Sequence, residues 1–178
     1  MNRTADVVIV GAGVIGSATA FELAKRGYKT LNIDKLPASG YGSTSNSCAI
    51  VRAHYSTWDG VAMAYEGFFY WDDWNKYLEV EDERGMAKYM KTGSIMFMLK
   101  GEDHSKKSLN LFKEIGVEHE IWDLETLKKK MPIYSHDSYN GTSRPDEDDS
   151  FFDKSGDQIE GAVWTPGSGY VSDPQLAT

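Results

Sequence analysis

The chain has 178 residues with 19 basic and 27 acidic side chains, a formal net charge of −8, and it is 40% hydrophobic and 12% aromatic. An acidic chain with no stripe of Lys and Arg argues against a nucleic-acid binder, because neutralising phosphates takes clustered cations, while the apolar content supports a packed core over disorder. No window approaches the ~18 consecutive apolar residues of a membrane-spanning helix and the first ten residues lack the sections of a secretory signal, so a cytoplasmic protein of one domain, or one domain and part of a second, is expected.

Ala5 to Val10 is a short β-branched run, apolar on both faces, as suits a central strand of a parallel sheet covered on both sides. It ends in Gly11-Ala12-Gly13-Val14-Ile15-Gly16, after which Ala18, Phe21, Leu23 and Ala24 recur at helical spacing up to a C-capping Gly27. Lys29 to Asp34 reads as a second strand ending on an acid, which completes a strand, helix, strand unit. Residues 37–47 are rich in Pro, Gly, Ser and Thr, with Ser43 or Thr44 placed to cap a short helix running to about Arg52. One long aromatic helix is expected over Val61 to Leu78, then strand-like residues from Met90 through Leu99, a helix over Ser105 to Ile115 and a strand over Val117 to Trp122. Asp123 is placed to cap a helix Leu124 to Lys130, which Pro132 stops.

Between Arg144 and Glu160 only Arg144 and Lys154 stand against seven acidic residues, a local net charge of −5. That segment reads as a solvated insertion; it lacks the ligand spacing and placed glycine of a calcium loop, and no metal site is expected. Gly161 to Trp164 and Gly169 to Val171 look like short strands around the turn Thr165-Pro166-Gly167-Ser168. Ser172-Asp173-Pro174 reads as a helix start, so the chain is expected to be interrupted soon after it. Cys48 is the one cysteine, which agrees with a reducing compartment, and the sequons Asn2-Arg3-Thr4 and Asn140-Gly141-Thr142 are then chance matches.

A GxGxxG triplet alone says little. Here it follows a strand, opens a helix, and is followed 18 residues after Gly16 by Asp34 at the end of the next strand, which is the context of a dinucleotide site. Gly11 permits the tight turn, Gly13 a close approach to a pyrophosphate, and Gly16 the packing of helix on sheet. The helix N-terminus favours the diphosphate and Asp34 the ribose hydroxyls, so NADP with its 2′-phosphate is disfavoured. A second group of hydroxyls at 43–45 offers another anion contact, useful to a long cofactor, and favours FAD over NAD. Phe68, Phe69, Tyr70, Trp71 and Trp74 read first as core, and only second as an aromatic cage for a methylated amine.

The glycine motif, Leu23-Ala24-Lys25-Arg26-Gly27, Asp34, Gly42 to Tyr55 and Gly169-Tyr170-Val171-Ser172-Asp173-Pro174 resemble the D-amino-acid oxidase-like FAD oxidoreductases, nearest to the sarcosine oxidase, glycine oxidase and dimethylglycine dehydrogenase relatives. The resemblance implies an α/β fold: a Rossmann-like FAD-binding unit of the GR2 flavoprotein type, with part of an α+β substrate domain. It implies an FAD-binding βαβ unit and second pyrophosphate segment over 1–60, a partial substrate region over 61–160 with the acidic insertion at 144–160, and 161–178 leading into a C-terminal half that lies outside this chain. The cofactor-binding set it implies is Gly11, Gly13, Val14, Ile15, Gly16, Asp34, Lys35, Ser43, Thr44 and Ser45. Arg52 matches an arginine that pairs with the substrate carboxylate, a geometry suited to a planar fork, with His54 and Tyr55 beside it as candidate catalytic residues.

Two departures stand out: Ala49 replaces a basic residue of the sarcosine oxidases, and Asn46 stands where dimethylglycine-type enzymes carry the histidine bonded to FAD. A covalent flavin link to this chain is not expected, and Cys48 reads as a packed thiol. The implied reaction is hydride transfer from the C–H beside the nitrogen of a small amine or amino acid to the flavin, leaving an imine that water hydrolyses. The alternatives are a noncatalytic nucleotide-binding subunit completed by a partner chain, and an NAD-dependent dehydrogenase. Alone, the chain is expected to bind FAD weakly or not at all.

Overall fold

In the computed structural model the described residues are 4–139, 144, 146, 147, 149, 150 and 152–178. The sequons and Asp148 of the acidic segment therefore fall wholly or partly outside them. In chain order the elements are β1 (Val7–Val10), α1 (Val14–Lys25), β2 (Thr30–Ile33), β3 (Ile50–Val51), α2 (Trp58–Asp72), α3 (Trp74–Leu78), β4 (Tyr89–Met90), β5 (Ser94–Met98), α4 (His104–Ile115), β6 (Glu120–Asp123), α5 (Leu124–Lys130), β7 (Asp137–Tyr139), β8 (Lys154–Gln158), β9 (Gly161–Thr165) and β10 (Gly169–Val171). They fall into two compact units, one of residues 1–51, 68–91 and 169–178, the other of 52–67 and 92–168.

The first unit opens with β1 parallel to β2, Val7 opposite Thr30 and Val10 opposite Ile33. Between them α1 ends in a Schellman motif: Gly27, at φ +87°, donates its amide to Ala24 O at 2.9 Å, and Tyr28 donates to Leu23 O at 3.1 Å. Gly27 tolerates the left-handed backbone that turns the chain straight into β2. The expectation of a strand covered on both sides is corrected: among the described residues β1 and β2 form a two-stranded ribbon, and Val8 and Val10 on one face of β1 are 56% and 85% exposed. The unit also holds the antiparallel sheet β3-β10-β4. Tyr77 on α3 lies edge-on to Phe21 on α1, ring centroids 5.2 Å apart, and its hydroxyl donates to Glu22 at 2.8 Å.

The second unit is built on the antiparallel sheet β5-β9-β6, with β9 central and four of its five residues buried. Trp122, Leu127, Ile159 and Ala162 form a core against which Ile95, Leu124, Met131 and Trp164 pack. Asp123 caps α5 as expected, accepting the Thr126 amide at 2.8 Å. Gly116 closes α4 in the left-handed region, its amide on Phe112 O at 2.8 Å. The two late strands are present, yet they are no hairpin: β9 and β10 belong to different sheets.

Two further expectations are corrected. The aromatic helix is two helices, because Asp73 leaves helical geometry at φ −126°, ψ 50°. Consecutive Asp72 and Asp73 are unfavourable at the negative end of one helix and favourable at the positive start of the next. No helix spans 43–52; the segment is a series of turns whose amides bond locally, Ser45 to Gly40 O at 2.9 Å and Ser47 to Thr44 O at 3.2 Å, followed by β3. The acidic segment includes the strand β8, which is exposed along its length, with Lys154 paired to Asp137 across β8 and β7 at 2.6 Å and Lys100 to Asp157 at 3.0 Å; Ile159 beyond it is buried. No helix among the described residues is long and apolar enough to cross a membrane, and none of their His, Cys, Asp and Glu side chains cluster as a metal site.

Candidate functional site

β1 delivers the chain into a turn that three separate segments hold in one shape. Gly11, at φ +112°, donates its amide to Ile33 O at the end of β2, at 2.8 Å. Ala12 donates its amide to Asp34 Oδ2 at 2.8 Å and accepts the Gly40 amide on its carbonyl at 2.8 Å. Thr44 Oγ1 accepts the Val14 amide at 3.0 Å. The hydroxyl expected to cap a helix does so, but the helix is α1, 30 residues back in the chain. The first-turn amides of α1 are thereby divided: Val14 goes to Thr44 and Ser17 to Gly13 O at 2.9 Å, while no described residue takes those of Gly13, Ile15 or Gly16. Three free donors at a positive helix end form an anion cradle.

Gly11 is required by its torsion and Gly16 by contact, while Gly13 is a close fit. A Cβ on Gly13 would stand 3.0 Å from Thr44 Oγ1, and one on Gly16 would stand 2.1 Å from Gly11 O. The turn, Asp34, Lys35, Ser43 and Thr44 line a cleft of about 620 Å³. Ser45 lies behind it, its hydroxyl donating to Gly42 O at 3.2 Å. Sequence reasoning missed Asn32, whose side-chain amide donates to Gly16 O at 3.1 Å and so ties the first turn of α1 to β2. The available signal was a lone amide in an otherwise apolar strand.

The Ala12 and Leu36 amides hold the Asp34 carboxyl below the usual carboxylate range. A carboxylate has more lone pairs than these two amides occupy, so it can accept a further donor. Because its folded pKa is depressed, this carboxylate stabilises the turn above the ordinary carboxylate range and ceases to as pH falls through the folded value. Replacing Thr44 by Val should cost about 0.5–2 kcal/mol, the worth of a capping hydroxyl. An unchanged denaturation midpoint would show that the Thr44 bond caps nothing.

In the second unit, Arg52 is exposed, its guanidinium carbon 5.7 Å from the centre of the half-exposed Tyr55 ring, and no carboxylate among the described residues pairs with it. His54 is buried, its Nε2 2.9 Å from Thr165 Oγ1, which also bonds Ser94 Oγ at 2.9 Å and Ser168 Oγ at 3.0 Å. Burial first, then the charge of Arg52 and the neighbouring His104, lower His54 to about 4, so it is neutral at physiological pH. An unfolded histidine takes its proton near 6.5, so stability should fall as pH drops from about 6.5 toward 4, by about 2–3 kcal/mol in total. His54→Asn should flatten that slope, as read from denaturation midpoints at pH 7 and pH 5; an equal slope in the variant would assign the loss elsewhere.

Residues 6–178 match the family described as FAD dependent oxidoreductase. Over 149 residues the chain is 30% identical to a monomeric sarcosine oxidase of Bacillus sp. (strain B-0618), covering 82% of this chain and 37% of that protein. Over 129 residues it is 28% identical to the human peroxisomal sarcosine oxidase, covering 71% and 31%. Among solved structures it is similar to L-proline dehydrogenase from P. horikoshii, TM-score 0.73 at 21% identity, covering 99% of this chain and 40% of that one. Glycine oxidase from Geobacillus kaustophilus gives a TM-score of 0.64 at 22% identity, covering 97% and 42%. The chain thus spans well under half the length of these relatives.

Proposed function

This chain belongs to the FAD dependent oxidoreductase family, and on that premise we propose that it is the cofactor-seating part of an enzyme that oxidises the C–N bond of an amino acid or N-methylated amine of the sarcosine, glycine or dimethylglycine type. FAD is the family's dinucleotide, so the NAD-dependent alternative falls. The observation that carries the reading is the three-segment lock on the glycine turn, which leaves three aligned amides facing a cleft.

The residues fit the group. The amides of Gly13, Ile15 and Gly16 would take the diphosphate, with Val14 fixed between them by Thr44. Asp34 would accept the ribose hydroxyls, with Lys35 and Ser43 completing the polar wall. Bound FAD would supply the hydride acceptor, chemistry no side chain offers. Arg52, stacked on Tyr55 and unpaired with acid among the described residues, would hold the substrate carboxylate through a planar fork. His54, neutral and bonded to Thr165, would hold the backbone between those two residues. A partner chain completing the site belongs to the same proposal, as does a cytoplasmic setting, which the single Cys48 supports.

The test is anaerobic addition of sarcosine, glycine or proline to the FAD-loaded protein, with any chain that co-purifies. Bleaching of the flavin absorption is expected with at least one of them. Arg52→Ala should weaken binding of the carboxylate substrate by about 1.5–3 kcal/mol, the worth of a charge-assisted hydrogen bond. A flavin that no carboxylate-bearing amine reduces would sink the assignment.

A further inference from the structure

One feature of the first unit has no part in holding a dinucleotide or a substrate. Trp71, at the end of α2, lines a cavity of about 240 Å³ together with Val14 and Thr44, residues that also wall the cofactor cleft. Its ring lies 4.3 Å from that of Trp74, stacked at 27°. Trp74 in turn lies 5.5 Å from Tyr77, and Tyr77 4.7 Å from Tyr70. We propose that Trp71, Trp74 and Tyr77 form a one-electron conduit that carries oxidising equivalents from the cavity beside the cofactor cleft to Tyr77, where Glu22 receives the phenolic proton.

Two observations beyond ring proximity give the path its direction. The Trp74 indole N–H is buried and has no acceptor among the described residues. A radical cation formed there has nowhere to leave its proton, so its charge is not trapped. The Tyr77 hydroxyl, by contrast, donates to Glu22 Oε1 at 2.8 Å, and Glu22 is held below the usual carboxylate range by that bond first and by Arg26. Burial and the same carboxylate push the Tyr77 hydroxyl up to about 12, so it keeps its proton at rest and loses it only on oxidation. Electron transfer falls off exponentially with distance, and rings in contact therefore outpace any single jump across the same span.

The steps balance. A one-electron oxidant of the ruthenium(III) polypyridyl or peroxyl-radical class takes an electron from Trp71 and is itself reduced, leaving a tryptophan radical cation. Trp74 returns an electron to Trp71 and becomes the radical cation. Tyr77 then gives one electron to Trp74 and its proton to Glu22, leaving a neutral tyrosyl radical and a protonated carboxyl. A site that carries redox chemistry gains from such a drain, since the charge ends at a phenol outside the cleft.

The experiment is flash oxidation of the whole chain by photogenerated tris(bipyridine)ruthenium(III), followed by transient absorption and by paramagnetic resonance of frozen samples. A tryptophanyl signal that decays into a tyrosyl signal is expected. Tyr77→Phe, which keeps the ring and its packing, should remove the tyrosyl signal and prolong the tryptophanyl one. Glu22→Gln keeps a hydrogen-bond acceptor but takes no proton, and should slow tyrosyl formation at least about a hundredfold, the scale of losing a positioned base. Circular dichroism on both variants separates a lost conduit from a lost fold. An unaltered tyrosyl yield in folded Tyr77→Phe, or an unaltered rate in folded Glu22→Gln, would overturn the proposal while leaving the assignment of the cofactor cleft untouched.

Discussion

Gly16→Ala is expected to remove dinucleotide binding and to lower stability by about 1–3 kcal/mol, the range for forcing a methyl into a filled space. The new Cβ would lie 2.1 Å from Gly11 O and 3.5 Å from Ile9 Cγ2. The nearer obstacle is backbone and cannot swing aside as a side chain would, so either α1 or the turn must move. Movement of α1 stretches the Asn32 bond to Gly16 O, and movement of the turn stretches the Ala12 bond to Asp34. Both displace the free amides, and an anion site that depends on aligned donors loses most of its affinity with an ångström of misplacement. Chemical denaturation and FAD titration of the same sample read the two effects. A variant that retains parental FAD affinity would show that the turn is not where the diphosphate sits.

Phe112→Ala should be the most destabilising simple truncation, at about 3–5 kcal/mol. Phe112 is fully buried, with the His54 and His119 rings each 5.7 Å away. It also accepts the Gly116 and Val117 amides on its carbonyl, so the end of α4 resists the collapse that would refill the space. The cavity would border His54 and admit water beside it. His54 should then titrate closer to its ordinary value near 6.5 in place of about 4, as histidine proton resonances followed over pH would show. A cost below about 1 kcal/mol would mean that the site collapses freely.

What could be read from the chain was local. The strand, glycine turn, helix, Gly27 cap, strand and terminal acid of the opening unit are each marked within a few residues, and the Asp123 cap is marked by a short polar residue before a periodic run. The rest depends on pairings that periodicity does not encode. Thr44 looked like a cap for the residues after it, and its partner lies 30 residues earlier, because the turns at 40–47 bond back to the glycine loop. The short strands around the turn at 165–168, β9 and β10, do not pair with each other: β9 pairs with β5 and β6 while β10 pairs with β3 and β4. Side-chain alternation sets which face of a strand is buried, and it carries no information about the distant partner. Asn32 stayed hidden for a related reason, since the carbonyl it serves belongs to another element.

The proposed seat of the FAD diphosphate is the turn after β1, locked by Asp34 and Thr44. It is tested most directly by titrating FAD into uniformly nitrogen-labelled protein and following each backbone amide by NMR, which detects weak binding as readily as tight. Saturable shifts at Gly13, Ile15 and Gly16, weakened together in Asp34→Ala, are the expected result. Saturable FAD-induced shifts that bypass these three amides would contradict it.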